Sequence, residues 1–382
     1  MLTLITGAQV YAPRPLGRCD VLLAAGRIAR VGTVDRAAAE ALDIGLEVVA
    51  ADGCLVCPGL IDPHEHLLGG SGEEGFSTQT PEITLTELVQ AGITTVVGCL
   101  GVDTTMKTPA GLLAKVKGLR EEGLSAWMWS GGYDVPPVSI MESVRDDLLF
   151  VAEVIGCGEV AIADERSVDP EPRELARVVH EAHVGGLLSR KAGLTHFHAG
   201  EGERRLRCLR EILDRRRFQV NPAWLYVTHT ERNDELLREA VELACLGAAV
   251  DMDVAAHDLA RWYPRYRELG GPLDRLTISS DASTTSPASV LGEIRTCVQE
   301  HGLPLAELLA LATSHPARIL GLHRAGRIEP GLHADVLVLR ADSLEPVHLF
   351  ARGERLLADG RPTRRERFLD STERAIHLVG TG

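Results

Sequence analysis

Short apolar runs and amphipathic stretches alternate through the middle of the chain. The apolar runs fall at 59–66, 93–99, 125–132 and 159–164, then at 194–200, 224–230, 248–254 and 276–282. Each is short enough for a strand, and apolar enough to be covered on both faces as parallel strands are. Stretches with helical spacing separate most of them, among them TLTELVQAG at 84–92 and DDLLFVAEVIG at 146–156. Eight strands alternating with helices over roughly 250 residues predict an α/β fold of the (β/α)8 type, a TIM-like barrel. A doubly wound sheet would share these runs, but no GxGxxG follows the first one. Strand-like segments with turn signals also flank this region, at 20–32 and 46–59 and again at 326–340 and 346–362. They predict a small β-sandwich domain built from both chain ends. The expected division is 1–57 and 323–382 for the small domain and 58–322 for the barrel.

Composition narrows the partners. The 382 residues are 45% hydrophobic and 25% charged, which is ordinary for a globular protein, and the formal net charge is -14. That balance disfavours nucleic acid and anionic membranes as partners. One basic block, GERRLRCLREILDRRRF at 202–218, has no interleaved nucleic-acid-stacking aromatics and reads as the solvated face of a helix. The eight Cys are scattered, and CLVC (Cys54, Cys57) has no second pair to complete a zinc site. The N-terminal residues lack a signal-peptide pattern, and no apolar run is long enough for a membrane span. A reduced, cytoplasmic protein is the expectation.

In such barrels the chemistry sits at the C-terminal ends of the strands. His64 and His66 end the first strand. Their spacing puts both side chains on one face, roughly 6.5–7 Å apart along the backbone. His198 ends the fifth strand, His229 the sixth and Asp281 the eighth. Imidazoles and a carboxylate from several strands converging on one mouth predict a metal site, with zinc favoured by the ligand types. His196 reads as a packing residue behind the ligands, and His180 and His183 as helix residues away from them. The fourth strand is expected to open at Glu159 and end in Asp164, Glu165 and Arg166. Asp164 reads as a partner for Arg166 or a helix cap. Glu159 is the odd residue: a carboxylate on an apolar strand, with no cation nearby on the same face.

The set PGLIDPHEH, FHAG, VTHTERN and TISSD, with GLHADVLVL near the C-terminus, resembles the amidohydrolase superfamily. Within it, PGLIDPHEHLLGGSGEEG, STQTPE, AGITTVVGCLG, EEGLSAWMWSGGYDVP and HVGGLLSRKAGLTHFHAG resemble the isoaspartyl (β-aspartyl) dipeptidase family. The resemblance implies a binuclear hydrolase that cleaves β-aspartyl dipeptides by attack of a metal-bridging hydroxide on the side-chain-linked amide. His64, His66 and Asp281 would hold one divalent ion, His198 and His229 the other, and Glu159 would bridge them. Asp281 would carry the proton to the leaving amine, and Tyr133 would donate to the oxyanion. Glu73 would bind the substrate α-amino group and Arg166 and Arg232 its carboxylate, with Ser71 and Thr285 as further substrate contacts. A homo-oligomer is also implied.

The chain departs from the family pattern at three places. Glu159 stands where the family has a carbamylated Lys, and there is no Lys between Lys117 and Lys191 to supply one. Val102 replaces a Thr near the substrate. The segment after Asp281 reads as short, with Thr285 in place of Ser. The last two leave open another N-acyl amino acid or a cyclic amide as substrate. A non-catalytic scaffold fits worse, because no ligand is lost.

Overall fold

The computed structural model describes residues 2–373. Its central feature is a parallel barrel of eight strands, each hydrogen-bonded to its neighbours in chain order. The strands are Leu60–Glu65, Ile93–Gly98, Ser125–Ser130, Val154–Ile162, Leu194–Ala199, Leu225–Thr228, Ala249–Asp253 and Leu276–Ser279. The ring closes where the His66 amide donates to the carbonyl of Ala282, 3.0 Å away. That bond ties the segment bearing the HxH pair to the one bearing Asp281. The strands are buried along nearly their whole length because helices cover the outside and side chains fill the inside.

Several covering helices start on well-formed caps. Thr84 and Glu87 form a capping box at the start of Leu85–Gln90. Thr108 caps Pro109–Glu121, with proline in the first turn, and Asn233 caps Asp234–Leu246. Among the described residues, no helix is long and apolar enough to cross a membrane.

Two further sheets come from the chain ends. A four-stranded sheet orders Arg27–Gly32, Asp20–Ala24, Leu2–Thr6 and Leu46–Ala50. A seven-stranded sheet runs from Arg361–Pro362 through Glu354–Ala358, Pro346–Ala351, Val336–Arg340 and Cys54–Pro58 to Gln9–Tyr11 and Pro15–Arg18. C-terminal strand Val336–Arg340 pairs directly with N-terminal strand Cys54–Pro58, so both ends of the chain build one sheet. Ile5, Val21, Ile28, Val49, Val56, Val336 and Phe350 pack between the two sheets as a sandwich core. Cys57, the residue after Val56, is buried on the other face of its strand in the core shared with the barrel, which pushes its thiol up to about 12 and makes it a packing residue.

Two expected elements differ. The amphipathic stretch after residue 146 is not one helix. Helix Val144–Phe150 ends, Val151 is extended, and the fourth barrel strand begins at Val154. Glu159 therefore lies in the later half of that strand and does not open it. Gly156 and Gly158 are strand residues pressed against neighbours that leave no room for a Cβ. The basic helix is also shorter than expected, spanning Arg207–Ile212. Gly202 packs against the Ala163 backbone, and Arg205 takes a left-handed conformation that keeps the first turns irregular. Arg207 and Arg210 pair with Glu211 and Glu242 on the surface.

Candidate metal centre

Strand alternation and the barrel mouth bring His64, His66, Glu159, His198, His229 and Asp281 together, as the sequence pattern requires. Glu159 stands at the centre and is fully buried. Its Oε2 lies 3.2 Å from Nε2 of His64 and 3.8 Å from Nε2 of His66. Its Oε1 lies 2.7 Å from Nδ1 of His198 and 3.2 Å from Nε2 of His229. One carboxylate oxygen thus faces each histidine pair. Asp281 joins the first pair, with Oδ1 3.4 Å from His64 Nε2 and 3.1 Å from His66 Nε2. A structural ion pair between Glu159 and Arg166 is not what forms: Arg166 is engaged by Asp164 and Glu73.

The far nitrogen of each histidine has its own neighbour, as orientation of a metal ligand requires. His198 Nε2 is 2.9 Å from Asp164, and His229 Nδ1 is 2.6 Å from Asp253. His64 Nδ1 is 3.4 Å from the Thr228 hydroxyl. His66 Nδ1 is 3.8 Å from the Cys99 sulfur. Asp253 and Cys99 were not among the residues expected from sequence. Asp253 sits two residues after another buried Asp, on the same face of the seventh strand. That alternation within an apolar run was the available signal. Cys99 can also be grouped with His64, His66 and Glu159 as a possible ligand set. Its thiol faces the outer nitrogen of His66, however, while Asp281 occupies the inner side.

The site is built to attract positive charge. Burial opposes ionisation of Glu159, but the His64 and His198 imidazoles beside it hold its carboxyl well below the usual range. Burial likewise works against a charged His64, yet Glu159 leads the neighbours that raise it well above the ordinary imidazole value. His229, buried against Asp253 and Glu159, is pushed up to about 9. Meanwhile His64 Nε2 and Glu159 Oε2 are buried and, among the described residues, have no hydrogen-bond partner. Buried ligand atoms without partners, in a field that pulls protons onto neighbouring imidazoles, fit a bound cation. The cluster can bind metal ions, as two groups sharing Glu159.

Polar residues ring this centre. The Tyr133 hydroxyl is 2.9 Å from His198 Nδ1. Burial and then Glu159 raise its pKa well above the ordinary phenol value, so it is a neutral donor. Arg166 binds Asp164 through two bonds, 2.8 and 2.9 Å long, and Glu73 at 2.8 Å, and it lies over the Tyr133 ring. Arg232 approaches the same Asp164 at 3.8 Å. Ser71 is partly exposed near the mouth. The Thr285 hydroxyl bonds the backbone carbonyls of Ser280 and Asp281, so it braces the Asp281 turn. His196 lies one layer deeper, stacked on Trp129 with ring centroids 5.0 Å apart. His183 stacks on Trp224 far from the centre. A surface groove of about 680 Å³, lined by Leu68, Lys107, Lys115 and Glu366, holds none of the metal-binding side chains.

Comparison with known proteins agrees with this fold. The model of the amidohydrolase family matches residues 273–356. Two solved structures of a β-aspartyl dipeptidase from Fervidobacterium islandicum AW-1, one in complex with β-Asp-Leu, are 35% and 37% identical to this chain. Each superposes with a TM-score of 0.88 over 95% of this chain and 99% of theirs. An adenine deaminase of Deinococcus radiodurans is 32% identical over 88% of this chain, which spans only 58% of that enzyme's length. A dihydroorotase of Pelotomaculum thermopropionicum is 25% identical, with 91% of each chain covered.

Proposed function

The chain belongs to the amidohydrolase superfamily and is a hydrolase, and on that premise we propose that it is a binuclear metal-dependent β-aspartyl dipeptidase. The observation that carries the binuclear reading is Glu159, whose two oxygens divide between the histidine pairs. His64, His66 and Asp281 would hold one ion, His198 and His229 the other, and Glu159 would touch both. Zinc suits this nitrogen and oxygen set. Two such ions would supply Lewis acidity to the scissile carbonyl and acidify a bound water molecule.

The chain's own residues do the rest. Asp281, held ionised by His64 and His66 against the effect of burial, accepts the proton of the attacking water and returns it to the leaving amine. The neutral Tyr133 hydroxyl donates to the oxyanion that develops beside His198. Glu73 reaches the free ammonium of the isoaspartyl residue, and Arg166 and Arg232 present guanidinium groups to its carboxylate. Asp164 holds both arginines at the mouth. Ser71 lines the same approach.

The single deciding experiment is incubation of metal-loaded protein with β-Asp-Leu and with α-Asp-Leu. Consumption of the first alone supports the reading, and indifference to both sinks it. A cyclic amide is the second reading, favoured by the full-length likeness to a dihydroorotase. Turnover of dihydroorotate in place of β-Asp-Leu would establish it.

A further inference from the structure

Beneath the metal-binding side chains, one buried carboxylate collects four hydroxyl groups. Asp251 lies on the seventh strand and is completely buried. Its Oδ2 accepts from Thr228 at 2.9 Å and from Ser279 at 2.5 Å. Its Oδ1 accepts from Thr277 at 2.5 Å and from Tyr226 at 3.3 Å. The hydroxyls come from the sixth and eighth strands, on either side of Asp251. Among the described residues no Lys or Arg pairs with it, and the hydroxyl dipoles compensate its charge.

We propose that Asp251 is a positioning residue that acts through Thr228 to hold His64 with its proton on Nδ1 and its lone pair on Nε2, facing the metal. The direction follows from donor counting. A carboxylate only accepts, so Thr228 gives its one hydrogen to Asp251. The Thr228 oxygen then accepts from His64 Nδ1, 3.4 Å away. The proton thereby placed on Nδ1 leaves Nε2, the nitrogen beside Glu159 and Asp281, free as a ligand. Asp164 and Asp253 do this directly for His198 and His229. For His64 the same task passes through a hydroxyl.

The inference rests on the binuclear reading, and its test separates the two. Metal-free protein is titrated with zinc and the two binding steps are resolved calorimetrically, with cobalt absorption as a second readout. Thr228→Val keeps side-chain volume and removes the hydroxyl. It is expected to weaken one of the two steps about 10–100-fold and leave the other within about twofold. Thr228→Ser is expected to restore it. Asp251→Asn should weaken the same step; if it does not fold, the threonine pair carries the test alone. Unchanged affinity in Thr228→Val, or equal weakening of both steps without rescue by serine, overturns the inference and leaves the binuclear reading standing. A wild-type chain that takes up no zinc overturns both.

Discussion

Gly158 presses its backbone against His196: a Cβ built on it would stand 2.7 Å from the His196 Cβ and 2.7 Å from the His196 carbonyl oxygen. Gly158 also has a φ of +151°, which disfavours any side chain. The pairing of the fourth and fifth strands shifts register at this point, between Cys157 and Val160. Glu159 follows immediately and is aimed at the barrel axis. A glutamate is shorter than a carbamylated lysine by about three atoms, or roughly 3–4 Å in extended geometry. The close approach of the two strands is the feature that would offset the shorter arm. Gly158→Ala should therefore damage fold and site together. A loss of a few kcal/mol is expected from the clash and the strained φ. Thermal melting and metal content check it; a variant with wild-type melting and two ions would show that the close packing does not matter.

Glu159 itself is the strongest departure from the family pattern. Glu159→Ala should lose at least one of the two ions, and activity with it. Because no Lys lies between Lys117 and Lys191, wild-type activity should be indifferent to bicarbonate. Metal analysis and assays in carbon dioxide-free buffer measure both. A bicarbonate requirement, or an alanine variant holding two ions at full activity, would refute the bridging role.

The eight strands were legible because each is a short apolar run between amphipathic stretches. His64, His66, His198, His229 and Asp281 were legible because strand ends are where a barrel keeps its polar side chains. The start of the fourth strand was not. Gly156 and Gly158 add nothing to the apolar run, and the packing of Gly156 against Trp129 and of Gly158 against His196 shows why they are needed within a strand. Asp251 and Asp253 were missed because their alternation marks one face of the strand and gives no sign of their partners. Those partners, the Thr228 hydroxyl and the His229 ring, come from the neighbouring strand.

Asp253 gives a prediction of its own. Its Oδ2 is 2.6 Å from His229 Nδ1, and Glu231, raised well above the usual carboxyl range by burial and then by Asp253, is the neutral neighbour beside it. Asp253→Asn keeps the shape and removes the charge that supports the His229 ring. Metal affinity at the His198/His229 site should fall about 10–100-fold, while the His64/His66 site is spared. Zinc titration reads this directly, and two unchanged binding steps would count against it.

Arg166 connects the metal centre to the expected substrate groups. It bonds both oxygens of Asp164, which in turn holds His198 Nε2 at 2.9 Å, and it also reaches Glu73. Two roles are therefore open to it: bracing Asp164, and binding the substrate carboxylate. Arg166→Lys separates them, because it keeps the charge and loses the fork that makes two parallel bonds. If Arg166 grips substrate, the variant should keep both ions and show a raised KM for β-Asp-Leu. The fall in kcat/KM should be on the order of 100-fold, as truncating one partner of a desolvated charge pair implies. If it only braces Asp164, KM should hold while kcat and zinc retention at the His198 site fall together. The first pattern is expected. The guanidinium is partly exposed at the mouth, over Tyr133, where an incoming carboxylate can meet it without displacing Asp164.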